Sequence, residues 1–389
     1  MIDQSALEDN NNIEVNYEDI MYNNNINQYQ LAKYPFESHS PNLIDQFIIL
    51  GFQKNYIKKY FPKLIEEKKK QLNNKSHLEI FINKKTEVLN EINFNKEKQT
   101  FDHDLLAKII FPNDLSIIIM KKTQKEDLLP YKVIFSFKSC PGNNILRKYT
   151  GLAFVFYLKN DYQDENINVF YPMAYCIISE FPFFTSFSLI CEEINKYSFI
   201  ENNYLVPSEI LIYNIVHFTP SPIKKGIKLL FGGKVIKDNN NQINNFYLIN
   251  PLEKNALDNY NYSGYKEIFF QKISGYPLID FNLSLLFNLL PTDVIMKTFI
   301  YTFLEEEIIF YCQNIEILNM ILYIFSILNY PVNDINYYDY IVSVSLNDYL
   351  SGYSMFVDKP FSSMIGVNAT YNKEIELKKN KKKLYFVLF

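Results

Sequence analysis

Few residues in this chain are able to do covalent or metal chemistry, and their spacing works against them. The four histidines, His39, His77, His103 and His217, lie far apart, with no Ser or Cys nucleophile set beside any of them and no Gly-x-Ser-x-Gly turn. Cys140, Cys176, Cys191 and Cys312 lack metal-ligand spacing and read as buried thiols. Glu305, Glu306 and Glu307 suggest a carboxylate cluster, but consecutive helical residues point in different directions and cannot work as an acid–base pair. Gly232-Gly233-Lys234 lacks the remaining spacing of a phosphate loop and its Ser or Thr. Arg147 is the one arginine, so a mechanism that needs a guanidinium beside a phosphate has a single candidate. These patterns predict no covalent catalysis, no metal and no cofactor.

Composition bounds what the elements around these residues can build. A chain of 389 residues with 48% hydrophobic content buries a large core, expected as two domains rather than one. A net charge of −4 is too small to steer the whole protein to nucleic acid. Its apolar runs are broken by Asn, Pro or Glu, so no transmembrane helix is expected. With no secretory leader, a reduced cytoplasmic setting follows. Abundant Asn, Lys, Ile and Tyr read as a coding bias rather than a function. Residues 1–35 are acidic and Asn-rich without apolar periodicity and are expected to be disordered. Gln53–Thr100 holds twelve lysines against six glutamates. A basic patch for membrane or nucleic acid is one reading. The favoured one is a solvated, peripheral insertion at 53–100 with at most short helices and few buried contacts.

The run from Phe281 to Leu328 is the most structured in the sequence. Pro291 ends one segment, and Thr292 and Asp293 suit the start of a helix. Ile295, Phe299 and Phe303, with Met296, Ile300 and Leu304, recur every fourth residue and predict one broad apolar face. Ile308–Cys312 is an unbroken apolar strand, and Ile315–Leu328 reads as a buried helix, which together give α/β architecture. Met173–Tyr197 reads as a strand followed by a helix with Phe184, Phe187, Ile190 or Cys191, and Ile194 on one side, as core. Residues 237–266 read as an Asn-rich insertion or long loop.

These blocks resemble a DENN domain. Phe281-Asn282-Leu283-Ser284-Leu285-Leu286-Phe287, then Leu290-Pro291, a helix and Leu304-Glu305, is similar to the family's central block. Tyr171–Phe184 resembles the family junction, with Met173 where the family has Lys. Pro41–Gly51 resembles the opening strand of the upstream region, and Ile109–Asp114 a corner whose closing Gly is replaced. Val206–Pro222 and Met355–Val367 resemble two further stretches, so that the likeness covers 41–52 and 109–367. It implies a longin-like upstream lobe at 36–200 and an α/β central lobe with a largely parallel sheet at 201–371. A basic tail at 372–389 stands where a helical downstream region is expected, which leaves room for a partner that supplies it.

The resemblance implies a guanine-nucleotide exchange factor for a Rab-type small GTPase in membrane trafficking, acting without covalent chemistry. Asp45, Phe281, Leu283, Phe287, Gln313 and Asn314 are then the residues expected near the GTPase. Arg147 matches a family turn and reads as structural rather than as a stimulator of GTP hydrolysis. No nucleic acid is expected as partner, and the location implied is cytoplasmic or peripheral on endomembranes. The competing reading is a non-exchanging scaffold on endomembranes. Nucleotide release from a panel of Rab proteins separates the two.

Overall fold

The computed structural model describes residues 42–75, 77–82, 86–93, 103–123, 128–139, 147–160, 162, 164, 166–199, 208–222, 226–236, 243–249, 261–263, 266–271, 283–304, 308–328, 340–345, 363–368 and 385–388. The segment expected to be disordered at 1–35 lies outside them.

The architecture is mixed α/β around one large curled sheet. Its strands in chain order are β1 (Gln46–Gly51), β2 (His77–Phe81), β3 (Glu87–Asn93), β4 (Ser116–Lys121), β5 (Tyr131–Ser139), β6 (Arg147–Lys159) and β7 (Ile167–Ser179), later joined by four more. Those four are β12 (Ile308–Cys312), β13 (Tyr340–Ser345), β14 (Ser363–Asn368) and β15 (Tyr385–Leu388). The eleven strands run β15-β12-β14-β13-β5-β6-β7-β1-β3, with β4 on β7 and β2 on β4. Between these two groups of strands come β8 (Ile227–Ile236), β9 (Ile243–Ile249), β10 (Asn261–Ser263) and β11 (Lys266–Phe270), a separate four-stranded sheet.

The largely parallel sheet expected for the central lobe needs correction, because the large sheet is mostly antiparallel. Among the described residues, parallel pairing is confined to β12 with β14 and β15, and β13 with β14. β13 then joins antiparallel to β5 through Tyr340 opposite Phe137 and Ile341 opposite Ser136, and every further ladder is antiparallel. Strands covered on both faces are apolar throughout whichever way they run, so the sequence pattern carries no sign of direction.

Both faces of the sheet are covered. On one, Phe47, Leu152, Phe154, Tyr175, Ile177, Phe310 and Cys312 pack against helices α3 (Phe184–Phe199), α4 (Ser208–Phe218), α5 (Ser284–Leu289), α6 (Thr292–Phe303) and α7 (Ile315–Leu328). The small sheet adds Ile227, Leu229, Phe231, Ile268 and Phe270 to this core. On the other, Ile48, Leu50, Ala153, Val155, Cys176, Ile178 and Tyr311 meet helices α1 (Lys54–Lys68) and α2 (His103–Ile110). The core placement of Phe184, Phe187, Ile190, Cys191 and Ile194 on α3 is borne out, all five being fully buried.

Two glycines let these layers meet. A Cβ on Gly366 would lie 2.7 Å from Leu318 Cδ1, so α7 packs on β14 closer than any side chain there permits. Gly151 sits opposite Phe135, whose ring fills the place of its Cβ.

The expectation for 53–100 fails in its structural content. α1 is a fifteen-residue helix, and its Ile57, Phe61 and Ile65, spaced every fourth residue, are buried in the second core. β3 adds to the sheet beside β1. The lysines between these apolar positions masked a core-facing stripe. Residues 237–266, expected as an insertion or long loop, include β9 and β10, both paired to β8. Tyr385–Leu388, assigned to a basic tail, pairs parallel with β12.

Candidate functional site

Asp45 enters the sheet just ahead of β1 and is buried. Its Oδ2 accepts the Glu180 backbone N–H at 3.1 Å, its own N–H donates to the Ile178 carbonyl, and Ser179 Oγ donates to the Leu43 carbonyl at 2.6 Å. Two sequence blocks that read as separate motifs thus form one lock between β1 and the end of β7. A buried carboxylate held this way orders the fold.

Gln313 and Asn314 follow β12 and are exposed. Asn314 Oδ1 accepts the Ile317 N–H at 3.1 Å, capping the first turn of α7. Asn368, at the end of β14, donates to the carbonyls of Gln313 at 2.8 Å and Cys312 at 3.2 Å, and accepts from Asn113 at 3.1 Å. The carboxyl ends of the parallel strands therefore carry a polar ridge of Gln313, Asn314, Asn368 and Asn113. In open α/β sheets such ends are where partners bind. Beneath it, burial pushes the Cys312 thiol above its ordinary range, against a backbone hydrogen bond from Asn314 that works the other way. Asp45 is not part of this ridge: β1 lies six strands from β12, roughly 29 Å along the sheet at about 4.8 Å per strand.

Leu283 packs half-buried against the first core, and Phe287 on α5 is exposed; Phe281 lies outside the described residues. The face of α6 differs from the sequence pattern. Its buried residues are Ile295, Thr298 and Thr302, and Thr302 Oγ1 donates to the Phe299 carbonyl at 2.8 Å, which satisfies a hydroxyl in an apolar place. Met296 (53% exposed), Ile300 (47%) and, just past the helix, Leu304 (60%) form a row turned outward, with Phe287 (63%) on the preceding helix. The one broad apolar face that periodicity predicts is thus divided: part of it faces solvent, and two threonines take inner positions, which a hydroxyl bonded back to its own helix can occupy.

The described chemistry-bearing residues lie on different elements. His77 lies on β2, His103 opens α2 with Nε2 3.1 Å from a Glu91 carboxylate oxygen, and His217 ends α4. Cys176 and Cys191 are fully buried, and burial drives both thiols well up. Gly232-Gly233-Lys234 is strand backbone within β8, not a phosphate loop. Arg147 begins β6, while Cys140 and Glu305–Glu307 lie outside the described residues. Among the described residues no three His, Cys, Asp or Glu side chains group as a metal site, and no helix is long and apolar enough to cross a membrane.

No curated protein matched the chain. The family model of the DENN (AEX-3) domain matches residues 241–387, which contain α5, α6, β12, β13, β14, most of β15 and, of the polar ridge, Gln313, Asn314 and Asn368. This match over 241–387 supports reading the chain as a DENN domain protein.

Proposed function

We propose that this protein is a guanine-nucleotide exchange factor for a Rab-type small GTPase in membrane trafficking, cytoplasmic and peripheral on endomembranes. The observation that carries the reading is the DENN match over 241–387, since DENN domains are generally associated with Rab exchange and trafficking and regulate GTPases rather than catalyse covalent chemistry. On this reading the antiparallel part of the sheet with its helices, at 36–200, is the longin-like upstream lobe, and 201–371 is the central lobe.

Exchange breaks no bond. It needs a surface that binds the nucleotide-free GTPase better than the loaded one, and by linkage the nucleotide is then weakened equally. Weakening it about 10⁴-fold takes roughly 5.5 kcal/mol of differential binding, which a few desolvated apolar anchors supply. Phe287, Met296, Ile300 and Leu304 are such anchors, exposed inside the matched segment. Gln313 and Asn314 offer polar contacts at the ridge, while Asp45 acts only by holding the fold.

The test is release of labelled GDP from a panel of Rab proteins at physiological Mg²⁺. Acceleration for at least one is expected. The double variant Met296→Glu, Ile300→Glu should lower that rate at least tenfold with an unchanged thermal midpoint, because both residues face solvent. Retention of GDP by every Rab, with stable binding of one of them, would assign the protein as a scaffold instead.

A further inference from the structure

The outer face of α1 carries a charge that exchange does not use. α1 itself holds five lysines and two glutamates, and with the 3-10 turn that follows it Lys54–Lys75 holds eight lysines and two glutamates, a net +6 in a chain of net −4, so the other residues sum to −10. The helix is pinned by Ile57, Phe61 and Ile65 in the core and by Phe61 edge-on to Tyr171 of β7. That orientation turns Lys58, Lys59, Tyr60 and Lys63 to solvent together. The Tyr60 ring stacks on Tyr56 at 4.6 Å, and Lys59 Nζ lies 5.2 Å from the Tyr60 centroid. The first ten residues of this helix, Lys54–Lys63, contain no carboxylate. Its second half holds two: Glu66 is engaged by Lys69 at 2.8 Å and by the Tyr162 hydroxyl, with Lys69 also 3.6 Å from Asp164, and Glu67 is exposed, so the patch is the first half of the helix.

We propose that this face docks the protein on the surface of an anionic lipid bilayer. Lysine ammoniums on flexible stems are compact point charges that follow mobile headgroups without a fixed geometry. Each one near an anionic leaflet is worth about fivefold in affinity. An exposed tyrosine between them suits the interface, where its apolar ring and polar tip both find a partner. Single-stranded nucleic acid fits less well: the patch has no arginine, and one face of the Tyr60 ring is already covered by Tyr56. The −10 carried by the remainder repels the same surface, so α1 selects the orientation as well as the contact. This docking does not rest on the exchange reading, and it is measured without a GTPase.

The experiment is co-sedimentation of the full chain with vesicles of phosphatidylcholine alone and of phosphatidylcholine with phosphatidylserine. Retention on the anionic vesicles alone, weakening as salt is raised, is expected. Lys58→Gln, Lys59→Gln and Lys63→Gln together should reduce it on the order of a hundredfold, with the thermal midpoint unchanged. The control pair Lys122→Gln, Lys228→Gln, exposed elsewhere, should bind as the parent does. Equal retention on neutral vesicles, an unaffected triple variant, or tighter binding to a uridine oligonucleotide than to the anionic vesicles would overturn the proposal.

Discussion

Asp45 and Asp114 are two acidic residues with different work. Asp45 is buried and its carboxylate accepts the Glu180 amide, so removing it strands that N–H in the interior. Asp45→Ala should therefore cost about 1–3 kcal/mol in chemical denaturation, while exchange per folded molecule stays as in the parent. A lost rate at unchanged stability would return Asp45 to the interface. Asp114 closes the turn after Phe111-Pro112-Asn113 with φ at 63°, the left-handed region where L side chains are strained. This is the position where the resemblance to the DENN family implies a Gly. Asp114→Gly removes the Cβ clash but loosens the unfolded chain, so the net gain should be small, about 0.5 kcal/mol, seen as a raised thermal midpoint. A fall in the midpoint would show that the Asp114 side chain contributes more than its backbone costs.

At the scale of elements, the apolar runs were legible and the mixed ones were not. β12 announces itself by unbroken hydrophobicity, α7 by being apolar on nearly every side, and α3 by Phe184, Phe187, Cys191 and Ile194 on one side. α1 hides Ile57, Phe61 and Ile65 among lysines, and its Pro62 argues against a helix interior. α6 misleads in the opposite sense, since Thr298 and Thr302 go in while Met296 and Ile300 come out. The site was legible only where it is local: Gln313 and Asn314 follow a recognisable strand, but their partner Asn368 and its neighbour Asn113 arrive from distant sequence. α1 supplies a direct check on the corrected reading. Phe61→Ala removes a fully buried ring and should cost about 3–5 kcal/mol, measured by urea unfolding. A cost below about 1 kcal/mol, the level of a surface change, would restore the view of this segment as a peripheral insertion.

For the molecule as a whole, the upstream and central segments share structure that neither completes alone. β13 continues the sheet from β5, and one core joins Leu152 and Ile177 of the sheet with Leu211 and Ile215 of α4 and with Leu318 and Ile321 of α7. Unfolding should accordingly be one cooperative transition, with coincident far-UV and near-UV signals; two separated transitions would show independent lobes. The small sheet is tied to this body by Glu193 of α3, which pairs with Lys196 at 2.7 Å and with Lys266 of β11 at 2.9 Å. Burial works to raise the Glu193 pKa, but the hydrogen bonds and charges of the two lysines outweigh it and hold the carboxyl below its ordinary 4.5. A carboxyl depressed in the folded state stabilises fully above its unfolded pKa, and that contribution drains away as pH falls through the folded value. Glu193→Gln should then lower stability by about 1–2 kcal/mol at neutral pH, and the gap between variant and parent should close as pH drops below about 4.5. Midpoints recorded from neutral pH into acid decide it: a gap that is the same at every pH would mean that Glu193 serves by its shape and not by its charge.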